Sequence, residues 1–146
     1  MLRHLIFGGL GLLLLCAGAV LAAPAPTLAD LQQLLDQPDD AIDFATAKLT
    51  VDRLIDPRID TDAAMRELDQ LTHAVASRTS PGLTLRERMD VLLSTLYTPG
   101  PWNDDRPFTY DLDDPLGKNA KNKLLSTYLR TRKGNCVSMP SLVAIL

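Results

Sequence analysis

Between Thr27 and Leu96 the apolar residues recur at helical spacing, and proline or glycine cuts the pattern three times. That rhythm, with no run of strict alternation, commits this stretch to short amphipathic helices rather than a sheet. Thr27 with Asp30 reads as an N-terminal cap, and Leu28, Leu31, Leu34 and Leu35 share one face until Pro38. Asp39 or Asp40 is expected to cap the second helix. There Ile42, Ala45 and Leu49 line one side, widened by Phe44, Val51 and Leu54, and Pro57 stops it. Thr61 or Asp62 opens a third, with Met65, Leu68, Leu71 or Thr72, and Val75 inward. Ser80-Pro81-Gly82 makes a turn. The capping box of Thr84 and Glu87 then starts a fourth helix, carrying Leu85, Met89, Leu92, Leu93 and Leu96.

Residues 98–117 break the rhythm with four prolines, two glycines and five aspartates. A stretch this long without periodicity is expected to be a loop pinned to the domain surface by Trp102, Phe108 and Tyr110. A fifth helix is expected over Lys118–Thr131, with Leu124, Leu125, Tyr128 and Leu129 buried and Gly134 closing it. Charge is uneven. Asp30 to Asp69 holds 11 acidic and 4 basic residues, whereas Lys118 to Lys133 holds only bases.

The first residues read as an address. Arg3 precedes the uncharged run Leu5–Leu21, and Ala22-Ala23 follows, the order of a secretory signal over residues 1–22. Two alternatives are a retained membrane anchor through residues 5–21 and a lipoprotein signal with Cys16 as the lipidated residue. All three export the remainder, and a periplasmic location is the expectation. Removal of the signal leaves Cys136 as the single cysteine. The chain has 146 residues and a formal net charge of −3, which argues against a nucleic-acid partner. Two histidines and two cysteines in the whole sequence give no ligand set for a metal, and no glycine-rich phosphate loop is present. No cofactor is expected.

The most informative stretch is Gly134-Asn135-Cys136-Val137-Ser138-Met139-Pro140 and the apolar run to Leu146. Proline lacks an N–H and is tolerated at a helix start, so the helix is expected to begin near Cys136 or just after. A thiol there meets partial positive charge, with Arg132 and Lys133 adding the same sign, and nearby N–H groups could hold an oxyanion. These features make Cys136 a candidate nucleophile, whereas a small buried cysteine is the plain alternative.

Asp113-Asp114-Pro115-Leu116-Gly117-Lys118-Asn119, then Asn122-Lys123-Leu124-Leu125, then Thr131 through Pro140 with its G-N-C centre resemble the bacterial transglutaminase-like superfamily. The likeness is to the branch with a helical region before the cysteine. It covers roughly Phe44 to Leu146 and is strongest over the last thirty-odd residues. The resemblance implies an intact α+β, papain-like domain whose cysteine opens a helix packed on an antiparallel sheet. A His and an Asp on the strands that follow would complete a triad. It implies thiolate attack on a peptide or protein amide, an acyl-enzyme, then hydrolysis or transfer. Residues 23–117 would be the helical N-terminal region, and 118–146 the start of the core. The sequence ends at Leu146 before any such strand, so the expectation is the N-terminal part of a longer protein, inactive alone. His4 lies in the leader, and His73 on the third helix reads as a surface or packing histidine. A non-catalytic, peptide- or partner-binding member of the superfamily is the main alternative. An unrelated exported helical protein with an incidental cysteine is the third.

Overall fold

The structure, a computed structural model, describes residues 24–146. The proposed signal or anchor over residues 1–22, with His4 and Cys16, lies outside the described residues. The fold is mainly α. Helices α1 (Leu28–Leu35), α2 (Phe44–Ile55), α3 (Thr61–Arg78), α4 (Leu85–Tyr97), α5 (Leu125–Thr131) and α6 (Ser138–Ile145) surround one core. Two strands of two residues each, β1 (Thr109–Tyr110) and β2 (Lys133–Gly134), pair in parallel. Among the described residues no helix is long and apolar enough to cross a membrane.

Side chains at the helix starts explain why the helices begin where they do. The Thr27 hydroxyl accepts from the Asp30 N–H at 3.3 Å, and the Asp30 carboxylate accepts from the Thr27 N–H at 2.7 Å. Thr84 and Glu87 repeat this box at α4. Two caps differ from expectation. Asp39 and Asp40 form a short 3-10 turn, and α2 is capped by Asp43, whose carboxylate accepts from Ala45 N–H at 2.9 Å. For α3 the cap is Asp60, accepting from Ala63 N–H at 2.9 Å, so Thr61 and Asp62 are the first helical residues. In both cases the acidic residue that wins is the one whose own backbone is extended, which aims its carboxylate at the free N–H groups.

The core joins Leu49, Leu68, Leu71, Leu92 and Leu96 to Phe108, Leu125, Tyr128, Leu129 and Leu142. Several residues expected to face inward are exposed, among them Leu28, Phe44 and Leu85. Each of these three is the first residue of its helix. A helical side chain leans toward the N-terminus, so a residue at that end overhangs the packed part of its own helix.

Asp52 is 1% exposed on the inward face of α2. Its carboxylate accepts from the Leu125 N–H at 2.6 Å and from the Lys48 ammonium, which also donates to the Lys123 carbonyl at 3.1 Å. Leu124 supplies no side-chain cap to α5. Asp52 therefore caps that helix from 73 residues away, and the two donors around it compensate for burying a charge.

The stretch from 98 to 117 is pinned in three places. The Asn103 amide, buried, donates to the Thr95 and Thr98 carbonyls at 3.0 and 2.9 Å and closes the end of α4. Arg78 lies 3.6 Å over the Trp102 ring. The Phe108 ring meets Tyr128 edge-on at 4.9 Å. Beyond it, Thr109 N–H donates to the Arg132 carbonyl at 2.8 Å and Asp111 N–H to the Gly134 carbonyl at 2.7 Å, forming the strand pair.

The expected helix over 118–131 is two pieces, a 3-10 turn over Ala120–Lys123 and then α5. The Asp114 carboxylate takes the Lys118 and Asn119 N–H groups at 2.8 and 3.0 Å, and Asn119 takes that of Lys121 at 3.1 Å. Side chains thus hold donors that would otherwise begin a continuous helix. Gly134 does not close α5. Arg132 takes the left-handed conformation there, φ 56°, and Gly134 continues into β2. What requires glycine at 134 is space, since a Cβ would lie 2.5 Å from the Tyr128 ring and 2.8 Å from the Ser138 hydroxyl.

Candidate active site

Cys136 is a free, exposed thiol between β2 and α6. The residue before it is fully buried and does the positioning. The Asn135 side-chain oxygen accepts from Val137 N–H at 2.9 Å and Ser138 N–H at 3.2 Å. The Asn135 carbonyl accepts from Met139 N–H at 3.1 Å. In return the buried Ser138 hydroxyl accepts from Asn135 N–H at 2.9 Å. Asn135 thus holds the turn that leads into α6, and Cys136 stands in that turn, two residues before the helix begins. The spacing Asn135-x-x-Ser138 carries this signal in the sequence, as a capping box with a hydroxyl in place of a carboxylate. Pro140 lies one turn on and has no N–H to return to the Cys136 carbonyl.

The turn rests on a rigid floor. Asn135 Nδ2 is buried with no hydrogen-bond partner among the described residues. It lies against Gly117, where a Cβ would come within 3.1 Å of it. Gly117 has φ +59°, a conformation that favours glycine. The Asp113–Gly117 segment and the Gly134–Cys136 segment, far apart in sequence, are therefore in contact. Asp111 and Asp114 both accept from the Asn122 amide at 3.0 Å, and the Asp114 bond ties the second quoted segment to the first. Below lies Tyr128, fully buried, whose hydroxyl stands near that of Tyr97 without reaching a hydrogen bond. Burial pushes both phenols above their ordinary pKa.

The two cations next to the cysteine are already engaged. Arg132 stacks 4.8 Å over the Phe108 ring, donates to the Arg106 carbonyl at 2.9 Å and pairs with Glu67 at 3.4 Å. Lys133 pairs with Asp113 at 2.9 Å, and that carboxylate raises its pKa. Their field at the thiol is therefore weaker than two free cations would give, contrary to the expectation from sequence. His73 is exposed on α3. No group of three or more His, Cys, Asp or Glu among the described residues could hold a metal ion. No family model, curated protein or solved structure matches this chain.

Proposed function

We propose that this chain is the N-terminal part of an exported, transglutaminase-like cysteine peptidase, amidase or acyl transferase, with Cys136 as nucleophile. The observation that carries the reading is an exposed thiol held in the turn just ahead of a helix by a fully buried Asn135. A structural cysteine is ordinarily the buried member of such a pair. Here the polar neighbour is buried and the thiol faces solvent.

In this reading the Cys136 thiolate attacks an amide or ester carbonyl of a peptide or protein. Its electron pair forms the C–S bond, and the carbonyl oxygen takes up negative charge. In this reading the Cys136 N–H, in the turn ahead of α6, donates to that oxygen. Collapse of the tetrahedral species expels the amine or alcohol with a proton, leaving a thioester. Water or a second amine then releases the acyl group. The base and its orienting carboxylate are the His and Asp that the resemblance assigns to strands beyond Leu146, within an α+β, papain-like domain.

The engagement of Arg132 and Lys133 elsewhere favours a second reading, a non-catalytic member that binds peptides or partners with the same fold. One experiment separates the two. The natural gene product is incubated with an activated peptidyl ester and analysed by mass spectrometry. The catalytic reading expects an acyl group on Cys136, turnover of the ester, and loss of both in Cys136→Ala. A Cys136 that is neither acylated nor alkylated faster than a cysteine in a short peptide rejects catalysis and leaves the binding reading.

A further inference from the structure

The basic run from Lys118 to Lys133 is not spent on the cysteine turn. Two of its members line a separate cleft between the first half of α3 and α5, about 510 Å³ in volume. That size lies within the range of small-molecule sites. Its floor is apolar, formed by the buried Ala64, Leu124 and Leu129. The acidic side chains around it are occupied. Asp56 is held by the Arg58 guanidinium at 2.9 Å through both carboxylate oxygens, with a weaker pull from Lys121. Asp60 caps α3, and Glu67 pairs with Arg132. Lys121 and Arg130 are exposed, and neither takes part in any of the ion pairs among the described residues. Ser126 and Thr127 add hydroxyls to the same wall.

We propose that this cleft is a binding site for a carboxylate-bearing ligand with a short apolar body. The body lies on Ala64, Leu124 and Leu129, and the carboxylates meet Lys121 and Arg130. An acidic peptide and a free dicarboxylic acid share this chemistry. The site is independent of any reaction at Cys136.

The test is a nuclear magnetic resonance titration of the protein with glutarate, with the peptide acetyl-Glu-Leu-Glu-amide, and with its neutral counterpart acetyl-Gln-Leu-Gln-amide. At least one anion should shift the Ala64 and Thr127 amides saturably, and the neutral peptide should bind at least about fivefold more weakly. Lys121→Gln and Arg130→Gln should each weaken the anion about threefold, and together about tenfold. Added salt should weaken it further. Both residues are exposed, so the variants should keep the parent circular dichroism. Saturation by the acidic peptide alone names a peptide as the ligand, and equal binding of glutarate names a small acid. The proposal is overturned if neither anion saturates below about 10 mM. It is equally overturned if the two substitutions, or neutral glutamines in the peptide, leave affinity unchanged.

Discussion

Gly134→Ala tests the close packing of β2 against Tyr128 and Ser138. The backbone at 134 is not left-handed, so alanine brings no conformational strain of its own. The cost comes from a Cβ placed 2.5 and 2.6 Å from two carbons of the Tyr128 ring and 2.8 Å from the Ser138 hydroxyl. Ordinary carbon contacts lie at about 3.5–4.0 Å, so something must move by about 1 Å. The ring has little freedom, being fully buried and edge-packed on Phe108 at 4.9 Å. The β2 backbone is held by its pairing with β1. Overpacking of this kind costs about 1–3 kcal/mol, and the rigid surroundings favour the upper end. Urea denaturation followed by circular dichroism measures it. Tyr128→Leu removes the obstructing ring at its own cost, and in that background Gly134→Ala should cost at least about 1 kcal/mol less. A Gly134→Ala variant within about 0.5 kcal/mol of the parent, or strict additivity with Tyr128→Leu, refutes the steric argument.

Asp52→Ala should destabilise by about 3–5 kcal/mol, because it strands the Lys48 ammonium and the buried Leu125 N–H together. Asp52→Asn, which keeps an acceptor for Leu125, should lose clearly less in the same denaturation assay. Acid should act on the caps and loops. Hydrogen bonds from Thr27, Thr46 and Thr84 lower the carboxyl pKa values of Asp30, Asp43 and Glu87, and Asn119 does the same for Asp114. Arg58 holds Asp56 down to about 2. Groups lowered in the folded state stabilise it above the ordinary carboxyl values and lose that contribution as pH falls through the lowered ones. The melting temperature should therefore hold from pH 7 to about 5 and fall between about 4 and 2. Asp56→Asn should flatten the lower end of that fall, and an unchanged profile would argue against the Arg58 pair.

The helices α1 to α4 were legible because their periodicity and punctuation are local. Thr27 with Asp30, and Thr84 with Glu87, are complete instructions within four residues. Features set by distant partners were not legible. Asp52 interrupts an apolar stripe, and nothing near it in sequence shows that Leu125 will need an acceptor. The helix expected over 118–131 fails because Asp114, assigned to the preceding loop, reaches into it. The strand pair is two residues long on each side, too short for any alternation to show. At the candidate site the thiol and its place before a helix could be read from Gly134, Cys136 and Pro140. The occupation of Arg132 by Phe108 and Glu67 could not, since Glu67 lies 65 residues away. Asn135 and Ser138 were readable in principle, their spacing being local.

The cap that Asp52 lends to α5 also sets an order of assembly. Seven residues are too few for a helix to persist alone in water. Its first N–H waits for a carboxylate on α2, so α5 can settle only after a loop of 73 residues has closed. Everything that leans on α5 comes later still. Tyr128 must be seated before Gly134 can pass it, and Gly134 must be in place before Asn135 can turn the chain. The surroundings of Cys136 therefore depend on contacts that span the chain from α2 to the turn ahead of α6, and are complete only when all of them are made.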